Sequence, residues 1–351
     1  MERRRRLLLN AAVHRIKPLL FSLGPLVLLL SLAEVTARVL DGTSSSASET
    51  THNSENAQQL VSHPTRIWGL SSGQRRAFGE PYSVGEDGLR EVEVSGAEHR
   101  VLTLGDSSIF GHGLSDDDTL HSQIRAAFSG RGYEVDVFCG GVPGYSTEQS
   151  LLLLEEVGWS LGPDLLVIGN LWSDYNYDYF VDKEWLEELA SPVRVLDRLL
   201  WWSRLWTVVR GSRQPEKATA DGRLPVGWVK TPYASNDDRH RVPLEDYRAN
   251  LKALLSQSER RGVEVIFLAP SNRWLLSRGS ETGEVWAPYF EAMAEVADVE
   301  GAPVVDATQH LMAAGLSADD AFLDEMHPTR VSNSVYAAAI VDASLTLGWP
   351  E

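Results

Sequence analysis

The chain has 351 residues, 43% of them hydrophobic and 23% charged, which suits one large domain with appendages and excludes a wholly disordered protein. Its net charge of −17 excludes the basic surface that nucleic-acid binding requires. Its single cysteine, Cys139, excludes an intrachain disulfide and a zinc site built from several cysteines.

The N-terminus joins a basic segment, residues 1–17, to an uncharged apolar run from Pro18 to Ala33. This order predicts that residues 18–40 enter a membrane, with residues 1–17 in the cytoplasm and the rest of the chain outside it. Two interpretations stay open: a retained transmembrane anchor, or a signal peptide cleaved after the small residues that end at Ala33. Both predict an extracytoplasmic domain, either membrane-anchored or secreted.

Residues 41–62 are rich in Ser, Thr and Asn, which predicts a flexible linker. The predicted folded domain covers residues 63–351. Five short apolar runs in it are predicted strands: Arg100–Leu104, Glu134–Cys139, Leu165–Ile168, Val263–Leu268 and Pro303–Val305. The predicted helices are Thr119–Phe128, Thr147–Val157, Leu244–Arg261, Trp286–Val299 and Thr329–Leu345.

Two helix starts carry recognisable signals. Asp118 is expected to cap the helix that begins at Thr119. Ser146 and Gln149 have the spacing of a capping box at the start of the next helix. Strands that alternate with helices predict a parallel sheet covered on both faces, with its ligand beyond the carboxyl ends of the strands.

Residues 175–243 interrupt this alternation with a segment rich in Trp and Tyr. Within it, Val193–Arg210 is a predicted amphipathic helix with a wide apolar face. Three interpretations stay open: a helix packed on the sheet, a lid or wall of a substrate cleft, and contact with the bilayer through its arginines.

The stretch LGDSSIFGHG, from Leu104 to Gly113, follows the first predicted strand. Ser107 is therefore expected on a strand-to-helix turn, where backbone N–H groups can receive an oxyanion. A serine there acts as a nucleophile only if a base lies beside it. The alternative is an ordinary capped helix start, where Asp and Ser are common.

The stretch FLDEMHPTR places Asp324 three residues before His327. An imidazole held by a carboxylate is the base that a serine nucleophile needs, because the carboxylate fixes the tautomer and stabilises the imidazolium. His121 and His240 each also follow an aspartate by three residues, so spacing alone does not single out His327.

A GDS block near the start of the domain and a DxxH block near its end resemble the SGNH (GDSL) hydrolase superfamily. The resemblance implies a three-layer α/β/α, flavodoxin-like fold with a parallel sheet of about five strands. It also implies that Ser107 is the nucleophile, His327 the base and Asp324 the orienting acid, and the order along the chain favours His327 over His121 and His240.

The same resemblance implies three oxyanion donors: the N–H of Ser107, a glycine after the second strand, and a side chain after the third. Gly141, in VFCGGVPGYSTEQ, matches the glycine, with Gly140 as the alternative. In LWSD, Ser173 stands where the family has an asparagine, and Asn170 and Asn176 are the alternative donors if the loop is shifted. A serine hydroxyl can still donate one hydrogen bond.

The resemblance therefore implies an extracytoplasmic serine esterase or O-deacetylase that acts on an acylated small molecule, lipid or envelope glycan. Two alternatives stay open: an envelope glycan O-acetyltransferase with the same triad, and a non-catalytic glycan- or partner-binding module, for which the serine at position 173 argues. The chain has no phosphate loop and no dinucleotide fingerprint, and neither a cofactor nor a metal is expected.

Overall fold

In the computed structural model, the chain divides into two compact units. One consists of Met1–Asn53 and Ser191–Lys217, the other of Ser54–Ala190 and Ala218–Glu351. The residues that the structure describes are 25, 29–36, 60–77, 79–176, 181–190, 205, 240–278 and 285–350.

In the first unit, residues 29–36 are helical, and the Glu34 carboxylate accepts a hydrogen bond of 2.9 Å from the N–H of Leu205. Among the described residues, no helix is both long and apolar enough to cross a bilayer. Most of the predicted membrane segment and nearly all of the predicted helix Val193–Arg210 lie outside the described residues.

The described part of the second unit includes two antiparallel hairpins that the sequence patterns did not predict. Strand β1 (Leu60–His63) pairs with β2 (Ile67–Leu70), and β3 (Gly73–Ala77) pairs with β4 (Glu80–Val84). Strand β1 therefore lies partly inside the predicted linker, which ends at residue 62. Strand β3 reads GQRRA, without the apolar alternation that marks a strand.

The centre of this unit is a parallel sheet with the strand order β6-β5-β7-β8-β9. All five predicted strands are confirmed, with ends that differ by one or two residues. The strands are β5 (His99–Gly105), β6 (Val135–Gly141), β7 (Leu165–Gly169), β8 (Glu264–Ala269) and β9 (Val304–Asp306).

Apolar side chains fill both faces of this sheet, as expected for strands buried between helices. Successive residues of a strand point to opposite faces, so Leu102 and Leu104 belong to one core and Val101 to the other.

The helices of the unit are α1 (Ser107–Phe110), α2 (Leu120–Ser129), α3 (Thr147–Glu156), α4 (Trp172–Tyr175), α5 (Asp182–Ala190), α6 (Leu244–Glu259), α7 (Arg273–Arg278), α8 (Ala287–Glu300), α9 (Ala307–Ala313), α10 (Ala318–Ala321) and α11 (Arg330–Thr346).

Helices α3, α6 and α8 contribute to the core on the Leu102 face, and α2, α9 and α11 to the core on the Val101 face. The predicted α/β/α layers are therefore confirmed.

The five predicted helices match α2, α3, α6, α8 and α11 within two residues at each end. The capping box of Ser146 and Gln149 is present. The cap expected from Asp118 is wrong, because Thr119 is the residue at the N-terminus of α2 and Asp118 ends a preceding 3₁₀ turn. The Asp118 carboxylate instead accepts a hydrogen bond of 2.9 Å from the Ser115 hydroxyl.

Three glycines lie side by side at the carboxyl edge of the sheet. Gly105 of β5 is in register with Gly141 of β6 and with Gly169 of β7. Helix α1 packs onto these positions, because a Cβ at Gly105 would lie 2.4 Å from Cγ1 of Ile109, and one at Gly169 would lie 2.5 Å from its Cδ1. The missing side chains let α1 lie directly on the strand ends.

We predict that Gly141→Ala lowers the free energy of unfolding by about 1–3 kcal/mol, because the core there has no space for another methyl group. The added Cβ would lie 2.4 Å from the backbone nitrogen of Phe110, so α1 itself would have to move. Chemical denaturation of purified variants measures the change. Gly130→Ala is the control, since its nearest neighbour is 3.4 Å away, and equal stability of the two variants would contradict the prediction.

Candidate active site

Ser107 is the first residue of α1, two residues after the end of β5. Asp106 caps this helix, since its carboxylate accepts a hydrogen bond of 2.9 Å from the N–H of Ser108. The capped helix start considered as the alternative is therefore present. Because Asp106 makes this cap, the hydroxyl of the partly exposed Ser107 has no capping role.

An unbroken chain of hydrogen bonds joins Ser107 to His327 and Asp324. Oγ of Ser107 lies 2.8 Å from Nε2 of His327, and Nδ1 of the same imidazole lies 2.6 Å from Oδ2 of Asp324. Ser107 and His327 are 220 residues apart in the sequence. The structure therefore brings together the serine, histidine and aspartate that the two sequence blocks contain.

The loop between α10 and α11 holds Asp324 and His327 in this geometry. Oδ1 of Asp324 accepts hydrogen bonds of 2.9 Å from the N–H groups of Met326 and His327. The N–H of Leu323 donates to the carbonyl of His327 at 2.8 Å, which closes the loop. The spacing of three residues therefore reflects a tight loop in which the aspartate bonds both to the backbone and to the ring of His327.

The environment of Asp324 keeps its carboxylate ionised. Burial on its own raises the pKa of this group, but the ring hydrogen bond and charge of His327, with the two backbone donors, hold the pKa well below its ordinary value. An ionised Asp324 accepts a hydrogen bond from the N–H at Nδ1, which leaves the lone pair of Nε2 directed at the Ser107 hydroxyl. That tautomer is the one a general base requires.

The two other histidines with the same spacing lie elsewhere. His121 is buried, and its Nε2 bonds to Oγ1 of Thr119 at 2.9 Å. Burial, with the charge of Arg90, lowers the pKa of His121 to about 3. His240 contacts the carbonyl of Tyr175 through its Nδ1.

A further histidine, His112, packs against the face of His327, with ring centroids 4.7 Å apart. Burial and the neighbouring charge of His327 lower the pKa of His112 to about 3. His112 is therefore uncharged near neutral pH and adds no second positive charge beside the base. In the sequence His112 stands between two glycines, and nothing in that pattern predicts a contact with His327.

The loop of residues 142–145 crosses the carboxyl end of β5. It leaves β6 at Val142, whose N–H donates to the carbonyl of Gly105 at 3.0 Å. It reaches β7 at Tyr145, whose carbonyl accepts a hydrogen bond of 3.2 Å from Nδ2 of Asn170. Since β5 lies between β6 and β7, this loop passes over the strand end that carries Ser107.

Within this loop, Gly144 is a better candidate oxyanion donor than the predicted Gly141. Gly141 is still part of β6, where it is in register with Gly105 of β5. Gly144 has a φ of 77° at the third position of a turn closed from Tyr145 N–H to Val142 carbonyl. The N–H at that position takes no part in the turn's own hydrogen bond, and none is formed with the described backbone. The alternative, Gly140, lies within the β5–β6 pairing.

The third block lies close to the first. Burial is the main cause that raises the pKa of the Asp106 carboxyl, beside Ser107, and the backbone N–H of Ser173 is the weakest of the groups that oppose this shift. The Ser173 hydroxyl forms no hydrogen bond within the described part of the chain, so it remains a candidate donor. Asn170 stays the alternative donor; its side-chain amide is buried and donates one hydrogen bond, of 3.2 Å, to the carbonyl of Tyr145.

Arg90 supports the other end of the Ser107 helix, a role that sequence reasoning missed. Its Nη1 donates to the carbonyls of Phe110 and Gly111, each at 3.0 Å, and its Nη2 donates to Leu114 at 2.9 Å. Its guanidinium also pairs with Asp116 at 2.7 Å. The signal available was a lone arginine in the lead-in YSVGEDGLREVEV, which by itself does not distinguish a buried arginine from a surface one.

An aromatic cluster adjoins the two later blocks. Trp172, next to Ser173, contacts the ring of Trp286 edge-on, with centroids 5.4 Å apart. Trp286 in turn contacts Trp274 at 5.7 Å. Trp274 follows Arg273, whose N–H donates to the carbonyl of Glu325 in the loop of Asp324 and His327. We call Trp172, Trp274 and Trp286 the tryptophan cluster.

We predict that Asp324→Asn slows the reaction of Ser107 with a fluorophosphonate probe by about 10⁴-fold, the scale expected when the base is held in the wrong tautomer. Mass spectrometry of the labelled peptide measures the rate. Glu325→Gln is the control, since Glu325 is the neighbouring exposed carboxylate. An unchanged labelling rate in Asp324→Asn would show that the carboxylate has no part in activating the serine.

No protein-family model matches the chain, and no curated protein matches it. Among solved structures it is similar to LAE5, an alpha/beta hydrolase enzyme from the metagenome of Lake Arreo, Spain, with 16% identity over 72% of this chain and 97% of that one and a TM-score of 0.48. It is also similar to the lipase/acylhydrolase from Enterococcus faecalis, with 16% identity, coverage of 71% and 96%, and a TM-score of 0.46.

A third similar structure is Axe2, an acetylxylan esterase from Geobacillus stearothermophilus, with 14% identity, coverage of 71% and 94%, and a TM-score of 0.46. At this level of identity no residue role passes from those proteins to this chain, whose chemistry follows from its own side chains. Its parallel sheet of five strands is what the resemblance to the SGNH (GDSL) hydrolase superfamily implies, and Ser107, Asp324 and His327 are hydrogen-bonded to one another.

Proposed function

We propose that this protein is a serine esterase that hydrolyses carboxylic esters through an acyl-enzyme intermediate. The observation that carries the proposal is the continuous hydrogen-bonded chain from the Ser107 hydroxyl through His327 to the ionised Asp324. A partly exposed serine at a strand-to-helix turn, with a base and an orienting acid, has what acyl transfer requires of a nucleophile.

In the first half of the reaction, Oγ of Ser107 attacks the ester carbonyl carbon while Nε2 of His327 takes its proton. The carbonyl oxygen becomes an oxyanion, for which the N–H groups of Ser107 and Gly144 and the hydroxyl of Ser173 are the candidate donors. The tetrahedral intermediate then breaks its bond to the alcohol oxygen, which leaves with the proton returned by His327. Asp324 stabilises the imidazolium throughout.

In the second half, water attacks the acyl-enzyme carbonyl and gives a proton to His327. The second tetrahedral intermediate expels Oγ of Ser107, which regains that proton as the carboxylic acid departs. The sum is one ester and one water converted to one acid and one alcohol.

Two features support an acylated glycan outside the cytoplasm as the substrate. The tryptophan cluster lies beside the third block and the acid–base loop, and tryptophan rings pack well against the faces of sugar rings. The basic and apolar order of residues 1–33 supports an extracytoplasmic domain that is anchored to, or released from, a membrane. In this proposal the acyl group is transferred to water. An assay that offers sugar acceptors distinguishes this hydrolysis from transfer to a sugar hydroxyl.

We predict that Ser107→Ala reduces the hydrolysis of p-nitrophenyl acetate to the level of the buffer, since no other group occupies the nucleophile's position. Release of p-nitrophenolate measures the activity. Ser108→Ala is the matched control and keeps its activity, because His327 bonds to Ser107 and not to the adjacent serine. Full activity in Ser107→Ala would rule the mechanism out.

We predict that Trp286→Ala lowers kcat/KM for an acetylated oligosaccharide by about 10-fold or more, but lowers it little for p-nitrophenyl acetate, because only the larger substrate extends over the tryptophan cluster. Acetate release measures hydrolysis, and mass analysis of the sugar products detects any acetyl transfer. Trp159→Ala is the control, since Trp159 is another partly buried tryptophan, stacked on Arg261. Equal losses on both substrates would argue against a glycan substrate.

A further inference from the structure

Arg241 lies at the end of the 175–243 insertion and is only 1% exposed. Its guanidinium forms two parallel hydrogen bonds with the carboxylate of Asp182, at 2.9 and 2.7 Å. Asp182 is fully buried, and its backbone N–H donates to the Arg241 carbonyl at 2.8 Å. The pair therefore forms a closed ionic unit inside the protein.

A contribution to folding stability does not by itself explain why a buried ion pair is present here. Removing both charges from water has a desolvation penalty that often cancels the attraction between them, so a well-packed apolar pair of similar volume would hold the fold as well. What the apolar pair lacks is further hydrogen bonds. A guanidinium has five N–H donors in a fixed plane, and two of those not used by Asp182 donate to the loop that crosses the end of β5 and to the helix that follows it.

The pair binds this loop at one point and the start of α3 at two. Nη1 of Arg241 donates to the carbonyl of Gly144 at 2.7 Å, and Nη2 donates to Oε1 of Gln149 at 2.8 Å. Oδ2 of Asp182 accepts a hydrogen bond of 2.6 Å from the hydroxyl of Ser146. The contacts with Ser146 and Gln149 fix the start of α3, so the Gly144 carbonyl is held against a rigid element.

The guanidinium is also held on one face. Its carbon lies 4.9 Å from the centre of the Trp68 ring, a cation–π contact. Nε1 of Trp68 donates to the carbonyl of Pro143 at 3.0 Å, and the Tyr145 hydroxyl donates to the Trp68 carbonyl at 2.7 Å. The residues on either side of Gly144 are thus fixed by the N-terminal hairpin, and Gly144 itself is fixed by Arg241.

We infer that Arg241 and Asp182 are positioning residues for the oxyanion-binding step. By holding the carbonyl of Gly144, Arg241 sets the orientation of the peptide that follows this glycine. It thereby restricts rotation about the backbone that carries the Gly144 N–H. The inference rests on the proposed esterase function, and it assigns to the insertion a direct part in the geometry of the reaction.

The test uses the double variant Asp182→Leu/Arg241→Met, which removes the ionic unit without leaving a buried charge unpaired. Circular dichroism and thermal unfolding establish that the variant folds, and titration with a fluorophosphonate probe counts its active sites. We expect kcat per active site for p-nitrophenyl acetate to fall by about 10- to 100-fold, because misplacing a transition-state donor has an effect of this size. KM should change little, since the donor acts mainly in the transition state.

A second readout separates positioning from general loosening of the fold. An arylboronic acid forms a tetrahedral adduct with Oγ of Ser107 and places a boron-bound oxygen where the oxyanion lies. Its inhibition constant should therefore rise by about the same factor by which kcat falls. A variant that is only partly folded would lose active sites but keep the inhibition constant of those that remain.

Arg100→Met is the matched control, because Arg100 also donates to a main-chain carbonyl, that of Leu161 at 3.0 Å, but at the opposite end of β5. Arg241→Lys keeps the charge opposite Asp182 but not the planar fork, and we expect an intermediate loss of kcat. A folded double variant with kcat and boronate affinity within about 3-fold of the parent would overturn the inference. Failure of the proposed function is distinguishable, since that would appear as activity retained in Ser107→Ala.

Discussion

The absence of side chains at three adjacent strand ends is the constraint on which the site depends. Gly105, Gly141 and Gly169 are in register across β6, β5 and β7, and Ile109 of the Ser107 helix packs into the space above them. With any larger residue, the backbone of this helix would be displaced from the sheet. The position of the Ser107 hydroxyl relative to the imidazole of His327 thus follows from close contact between backbones, and the hydrogen bonds of the triad act on a geometry that packing has already set.

Two buried arginines hold the segments on either side of Ser107. Arg90 binds carbonyls at the end of the Ser107 helix, and Arg241 binds the carbonyl of Gly144 in the loop that crosses β5. Both come from segments outside the regular alternation of strands and helices, namely the lead-in before β5 and the insertion after β7. A guanidinium suits this task because it stays charged when buried and binds several carbonyls and a carboxylate at once. The lead-in and the insertion therefore stabilise the segments around Ser107 at the carboxyl edge of the sheet.

Burial has opposite outcomes at two groups beside Ser107. It lowers the pKa of His112 to about 3, so that group favours its uncharged form near neutral pH. Asp324 is the contrast, since the imidazole and two backbone donors keep it ionised despite its burial. The ionised Asp324 thus lies next to His327, whose imidazole becomes positively charged during the reaction.

The sequence by itself determined the layers and the order of the chemical blocks. The apolar runs of β5 to β9, the periodicity of the long helices and the capping box at Ser146 are local signals, and each records an interaction between residues close together in the chain. The order of a GDS block and a DxxH block likewise sufficed to choose His327 among three histidines with equal spacing. The hairpins β1–β2 and β3–β4 were missed because their short strands lack a clear alternation of apolar residues.

Only the tertiary structure decided which groups converge on Ser107. The preference for Gly144 over Gly141 depends on a turn conformation at Gly144 and on the pairing of Gly141 within β6, which a run of glycines does not encode. The buried states of Arg90, Arg241 and His121 depend on segments that lie far away in the chain and cover them on folding. Burial and hydrogen bonding between distant residues are properties of the packed chain, because an isolated polar side chain has no stable position in the interior until its partners arrive.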